Sequence, residues 1–172
     1  MENGYVHVYT GNGKGKTTAA LGLAMRAAGA GYKVFIAQFV KGMDYSELHS
    51  FVALKDRITI RQFGRQCFIR NAPEFDEVRL AQRGLKEAAE ALASCDYRVV
   101  ILDEANIGTS CHLFSVEELL ALIESKPAHV ELVITGRDAD ERIIERADLV
   151  TEMREVKHYY RQGISARVGI EN

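Results

Sequence analysis

The sequence predicts an α/β fold with a mainly parallel sheet, and three observations carry that expectation. Strand-like and helix-like segments alternate from one end of the chain to the other. The run RVVILD, residues 98–103, is continuously apolar until it ends in acid, as expected of a strand covered on both faces. A glycine-rich turn, TGNGKGKTTAA at residues 10–20, joins the first strand to the first helix.

Residues 5–10 read as the first strand, and an alanine- and leucine-rich helix follows over residues 16–28, closed by Gly29 and Gly31. KVFIAQF, residues 33–39, is the second strand; residues 46–54 form a short helix and residues 58–63 a third strand. Residues 64–75, GRQCFIRNAPEF, show no period and are expected to form a loop, with a long amphipathic helix beyond it over residues 76–94. RVVILD is the fourth strand. Ser115 with Glu118 makes a capping box for a helix reaching residue 125. Residues 130–135 are the fifth strand, Asp138 with Glu141 is expected to cap another helix, and residues 149–153 supply a sixth strand. The polar, glycine-punctuated tail from Arg154 suggests no element. There is no repeat, low-complexity segment or linker, so residues 1–172 read as a single domain.

Composition narrows the function classes. Hydrophobic residues make up 47% of the 172 and charged residues 27%, ordinary values for a globular chain. A formal net charge of -2 argues against broad electrostatic binding to nucleic acid or to an acidic membrane surface. No apolar run has the length of a membrane span and no leader resembles a signal peptide, so a cytoplasmic location is expected. Cys67, Cys95 and Cys111 stand far apart with no C-x-x-C pair, and the five histidines lack ligand spacing; neither a disulfide framework nor a zinc site is indicated.

The glycine-rich turn is the centre of the functional reading. A phosphate-binding loop reads G-x-x-x-x-G-K-[ST], and counting back from Gly15-Lys16-Thr17 places Thr10 at the first position instead of glycine. Gly11, Gly13 and Gly15 allow a tight turn that points backbone N–H groups at one spot, beside the positive end of the following helix. Lys16 adds a cation for phosphate oxygens, and the Thr17 hydroxyl is placed for a magnesium ion. A dinucleotide-binding turn fits less well, because the glycines run G-x-G-x-G and no acid closes the second strand. Such a loop needs an acid at the end of a neighbouring buried strand, and Asp103-Glu104 supplies it. Thr135-Gly136-Arg137 ends another strand at the same edge, where Arg137 could reach a phosphate or remain a solvated arginine. From the residues alone the reading stops at an Mg-ATP-using α/β domain: a transferase, a small ATPase in which Glu104 activates water, or a non-enzymatic nucleotide-gated binding module.

The sequence also resembles the P-loop type of ATP:corrinoid (cob(I)alamin) adenosyltransferase. The matching blocks are TGNGKGKTTAALGLAMRAAGAG (residues 10–31), QFVKG (38–42), VVILDE (99–104), VITGR (133–137), ADLVTEMREVKH (147–158) and GISARVGIE (163–171). That family itself has threonine where other phosphate loops begin with glycine. The resemblance implies a RecA-like parallel sheet, a homodimer, and transfer of the 5′-deoxyadenosyl group of ATP to the Co(I) of a reduced corrinoid, with an electron-donating reductase or flavoprotein as a possible partner. Carried over, Gly11, Asn12, Gly13, Lys14, Gly15, Lys16, Thr17 and Thr18 would bind the triphosphate, with Thr17, Glu104 and Asp103 around Mg²⁺; Lys16 and Glu104 would be the residues closest to the chemistry. Arg26 matches a position near the nucleoside, and Arg137 joins the phosphate contacts. Members place aromatic side chains against the corrin, some in a G-F-T-W stretch; this chain has no tryptophan, and FGRQCF at residues 63–68 offers Phe68 and then Phe63. Some relatives carry an N-terminal extension over the site, so closure here is expected to come from other loops or to remain incomplete until substrate binds.

Overall fold

The computed structural model describes residues 3–65 and 73–172. In chain order they form β1 (Val6–Thr10), α1 (Lys16–Gly29), β2 (Val34–Phe39), α2 (Ser46–Val52), β3 (Ile58–Phe63), α3 (Phe75–Ala93), β4 (Val99–Asp103), α4 (Ala105–Ser110), α5 (Val116–Glu124), β5 (Glu131–Thr135), α6 (Glu141–Arg146) and β6 (Leu149–Glu152), followed by a 3-10 turn at Tyr159–Gln162. The described strands make one six-stranded sheet in the order β3-β2-β4-β5-β1-β6, and every pairing in it is parallel.

Helices cover both faces, which explains the unbroken apolar runs. β2, β4 and β5 are buried along their whole length. On one face α1 and α2 lie over Val34, Ile36, Ile58, Val99, Ile101 and Val133, with Phe51 reaching in from α2. The stripe α1 turns to the sheet is Ala20, Ala24, Ala27 and Ala28, so the helix approaches closely. On the other face α3, α5 and α6 enclose Val8, Phe35, Phe39, Val100, Leu102 and Ile134. β6, at the sheet's edge, is exposed throughout.

The six strands fall where the sequence places them, within a residue or two. Three details differ. α4 is an added helical turn directly after the acidic end of β4, a segment too short to carry a period. α6 is capped by Asp140, whose side chain accepts from the Arg142 N–H, and not by Asp138, which adopts φ 54° in the turn before it. α3 begins at Phe75, closed by a reciprocal box between Glu74 and Glu77.

Phe63 settles into the core. It is 3% exposed, its ring lies 6.1 Å from that of Phe39, and a β-carbon on Gly84 of α3 would sit 2.7 Å from both rings. The expectation that Phe63 offers a face to a corrin is therefore corrected: its ring is used by α3. Phe68, the other residue in that expectation, lies outside the described residues. Gly84→Ala gives a test of sign. Helix propensity alone favours alanine by about 1 kcal/mol, whereas overpacking costs about 1–3 kcal/mol. The variant should unfold at lower denaturant than the wild type; a higher midpoint would show that the two rings yield freely.

Candidate functional site

The parallel strands all point their C-terminal ends at one edge, and the loops leaving β1, β2, β4 and β5 meet there. The turn after β1 runs through Gly11 (φ 90°) and Gly15 (φ 123°), conformations that side chains disfavour. The β6 exit adds a second constraint. The Met153 N–H donates to the Thr10 carbonyl (2.8 Å), the Gly13 N–H donates to the Met153 carbonyl (2.5 Å), and a β-carbon on Gly13 would lie 2.6 Å from that oxygen. Gly13 is thus glycine because another strand crosses it, and its N–H is not among those turned to an anion. Thr10 is explained as well: it ends β1 in register with Glu152, outside the left-handed region, and its hydroxyl accepts from the Ala139 N–H (3.4 Å). Nothing at that position demands glycine.

α1 opens with Gly15 as its N-cap, with no side-chain cap and no acid in its first turn. Its first N–H groups and the positive end of its dipole are left for an anion. Lys16 reaches back over the loop and donates to the carbonyls of Gly11 (2.6 Å) and Gly13 (2.8 Å). Burial lowers its pKa; Glu104 opposes that shift and Arg137 adds to it.

Asp103, at the end of β4, is fully buried and takes four donors. Its Oδ1 accepts from the hydroxyls of Thr17 (2.9 Å) and Thr135 (2.7 Å). Its Oδ2 accepts from the Lys41 ammonium (2.7 Å) and, at 3.3 Å, from the Gln38 amide. Thr135 in turn accepts from the Glu104 N–H (2.9 Å), fixing a residue that sits at φ 60°. A left-handed glutamate is an uncommon conformation, and here it turns the side chain from the strand direction toward the loop edge. The Glu104 pKa is raised, chiefly by burial and then by the Asp103 charge; Lys41, Lys16 and Arg137 oppose the shift.

These contacts sort the expected residues. Lys16, Thr17, Asp103 and Glu104 come together. Asp103 does so as the acceptor at the centre, behind Glu104, with both oxygens taken. Arg137 is exposed on the turn after β5, near enough to act on Lys16 and Glu104 through its charge. Asn12, Lys14 and Thr18 are exposed around the loop. The Lys14 ammonium donates to the Ile170 carbonyl (2.6 Å) and pairs with Glu171 (3.0 Å), tying the tail to the loop. Glu171 also accepts from Tyr159 and Arg167, and Ser46 at the start of α2 donates to the Asn172 carbonyl (2.9 Å). The tail with no expected element is therefore folded across the site edge. Arg26 lies in the last turn of α1, about 15 Å along the axis from Lys16, apart from this cluster.

Lys41, Gln38, Thr135 and Glu47 belong to the site without having been singled out. Gln38 donates to Glu47 (3.0 Å) and Lys41 lies 3.9 Å from it. A buried glutamine at the end of an apolar strand was the available signal, since a fully buried amide calls for a polar partner.

The donor set fits a magnesium ion in part. Thr17 spends its hydrogen on Asp103 and accepts from Lys41 at 3.4 Å, which leaves one oxygen lone pair for a cation, and Glu104 contributes a carboxylate. Among the described residues no group of three His, Cys, Asp or Glu side chains could hold a metal, so phosphate oxygens and water would complete the shell.

Comparison with known proteins decides the family. The model of ATP:corrinoid adenosyltransferase BtuR/CobO/CobP matches residues 2–172. The chain belongs to that family. It is 37% identical to a corrinoid adenosyltransferase of Pseudomonas aeruginosa over 171 residues, covering 99% of this chain and 84% of that protein. It is 34% identical to the corrinoid adenosyltransferase CobA of Salmonella typhimurium, covering 99% and 86%. Solved structures share the fold: the flagellar accessory protein FlaH of Methanocaldococcus jannaschii superimposes with a TM-score of 0.62 at 13% identity, covering 88% of this chain and 72% of that one. A KaiC-like protein of Pyrococcus horikoshii gives 0.58 at 18%, covering 90% and 74%.

The raised Glu104 pKa fixes the sign of a pH effect on this adenosyltransferase. Between the ordinary carboxylate value and the raised one, the folded chain holds a proton that the unfolded chain has lost. Stability therefore falls as pH rises through that window and stays lowered above it. In nucleotide-free protein, Glu104→Gln should melt higher than wild type near neutral pH, with the difference shrinking as pH falls into the ordinary carboxylate range. A difference independent of pH would show that Glu104 titrates normally.

Proposed function

We propose that the cluster of Lys16, Thr17, Asp103 and Glu104 is the site where the family's reaction takes place, transfer of the 5′-deoxyadenosyl group of Mg-ATP to the Co(I) of a reduced corrinoid. The observation that carries this reading is the tie between the phosphate loop and β4: Thr17 on α1 and Glu104 after β4 are both set by one buried carboxylate. Arg137 and the exposed loop residues Asn12, Lys14 and Thr18 complete the proposed triphosphate surface. The corrin contact proposed for Phe68 rests on sequence position alone.

The residues suit the chemistry. Co(I) brings its own electron pair, so attack on C5′ requires no general base; the C5′–O bond breaks and its electrons leave on the triphosphate, while cobalt is oxidised to alkyl-Co(III). The chain has to align C5′ with the incoming cobalt and receive negative charge on the leaving group. Lys16 exchanges the carbonyls of Gly11 and Gly13 for phosphate oxygens, and the uncapped start of α1 offers N–H donors. Bound magnesium would neutralise part of the triphosphate charge, held by Thr17 and Glu104. In this reading Glu104 orients a cation and does not activate water.

Three extensions belong to the proposal. The enzyme acts as a homodimer, a reading supported by the exposed edge strand β6 with Leu149 and Val150 on its surface. An electron-donating flavoprotein is a possible source of Co(I). The protein works in the cytoplasm, in keeping with the finding that no helix of the described residues is long and apolar enough to cross a membrane.

Incubation with Mg-ATP and a chemically reduced corrinoid under anaerobic conditions tests the reading. A light-labile cobalt–carbon product and inorganic triphosphate are expected; ADP and orthophosphate without alkylation would overturn it in favour of hydrolysis. Lys16→Ala should lower turnover by about 10²–10³-fold, the range for removal of a charge-stabilising donor. Unaltered rates would mean that the site lies elsewhere.

A further inference from the structure

The Lys41–Asp103 pair is the tightest charge contact at the loop edge that the proposed reaction does not use. Lys41 is 14% exposed in its side chain, its ammonium lies 2.7 Å from a carboxylate with no exposure at all, and it is 3.4 Å from the Thr17 hydroxyl. Tyr45 closes over it with the ring centroid at 5.3 Å. Glu47 lies 3.9 Å from the same ammonium, so two carboxylates face it.

The backbone is shaped to deliver it. Val40, just after β2, sits at φ 60°, a genuine outlier for a β-branched residue. On the other side Gly42 and Gly64 press backbone on backbone, and a β-carbon on Gly64 would come within 2.5 Å of the Val40 carbonyl carbon. Strain at one residue and glycine at two others hold the β2 exit against the β3 exit, with Lys41 turned inward between them. An exposed lysine would need none of this.

We propose that Lys41 is a positioning residue that makes divalent-cation binding depend on nucleotide. It occupies the Asp103 oxygen that would otherwise attract a free metal ion, so the pair carries no net charge, and a cation is held only by Thr17, Glu104 and the phosphates that arrive with it. This extends the site reading above and rests on it. The consequence is order: the metal enters with the triphosphate. A site with Asp103 and Glu104 both unpaired would bind the ion first and present the loop with a competing load. By holding Oδ2, Lys41 also keeps Asp103 turned so that Oδ1 takes the hydrogens of Thr17 and Thr135, and the same ammonium donates to the Thr17 oxygen at 3.4 Å, occupying one of its two lone pairs.

The test is Mn²⁺ binding without nucleotide, read by calorimetry and by loss of the free-ion paramagnetic resonance signal, on wild type, Lys41→Met, Lys41→Gln, Lys41→Arg and the double variant Lys41→Met/Asp103→Asn. Wild type should bind Mn²⁺ weakly, and Lys41→Met and Lys41→Gln should bind one ion at least about tenfold more tightly, because site charge sets the affinity for a hard cation. Lys41→Arg should resemble wild type, and the double variant should lose the gain. Unchanged Mn²⁺ affinity in a folded neutral variant overturns the inference. Tight one-to-one Mn²⁺ binding by wild type without nucleotide overturns it as well, and that measurement stands even if the neutral variants fail to fold. Mg-ATP binding to wild type, measured in parallel, separates the two claims: its absence defeats the site reading, whereas its presence beside an unresponsive Lys41 variant defeats this inference alone.

Discussion

The site is organised around one buried anion. Asp103 accepts from Thr17 on the phosphate-loop helix, Thr135 on the adjacent strand, Lys41 from the β2 exit and Gln38 within β2. An isolated carboxylate with no exposure is costly, and removing a partner from such a cluster leaves a charge whose penalty is about 3–5 kcal/mol. The surrounding loops are therefore not free to drift: each supplies a donor that Asp103 requires. Because β5 lies between β4 and β1 in the sheet, Thr135 is the bridge by which the acidic strand and the phosphate loop are held in register. It donates to Asp103 and accepts from Glu104, so the position of the second acid depends on the first.

A second constraint acts from the opposite side of the loop. β6 pairs with β1, and its continuation at Met153 runs over Gly11 and Gly13 so closely that side chains at these positions would collide with its backbone. The tail then returns to Lys14 through Ile170 and Glu171 and to α2 through Ser46. The phosphate loop is consequently clamped between β4 chemistry on one flank and β6 backbone on the other. Among the described residues, the C-terminal tail is therefore a segment that crosses the site edge.

The fold was legible because burial on both faces leaves a plain record: ILD at the end of β4 and VIT at the end of β5 can be nothing but interior strands once a glycine turn and a helix precede them. The loop, Lys16, Thr17 and the acidic pair were legible for the same reason, since a fixed spacing between strand and helix encodes them. Lys41 was not, because its role depends on a φ of 60° at Val40 and on two glycines 22 positions apart in sequence, Gly42 and Gly64, meeting in space. Asp103 was placed at the site behind Glu104, but its four donors were not legible, because sequence adjacency cannot say how far each of two neighbouring acids faces inward. In a regular strand the two would point to opposite faces; the left-handed turn at Glu104 is what separates their environments. The glycine pattern was read as a device for presenting N–H groups, whereas part of it records the passage of β6, a contact about 140 residues away along the chain.

The distribution of charge also bears on which reaction such a site favours. Around Thr17 lie the cations of Lys16 and Lys41, with Arg137 acting from the rim, against the carboxylates of Asp103 and Glu104. Asp103 is balanced by Lys41, so what remains facing the loop is a cationic surface with one acid whose ionisation burial opposes. Hydrolysis would ask that acid to hold and deprotonate a water at the end of the phosphate chain. Adenosyl transfer asks only that charge arriving on the triphosphate be met by donors already in place, and in the proposed reaction each of those donors is present before the bond breaks: the lysine over the loop, the open helix start and a threonine oxygen whose hydrogen is already committed elsewhere. A site built this way spends its organisation on the leaving group, and the nucleophile needs no proton acceptor from the protein because reduced cobalt has no proton to give.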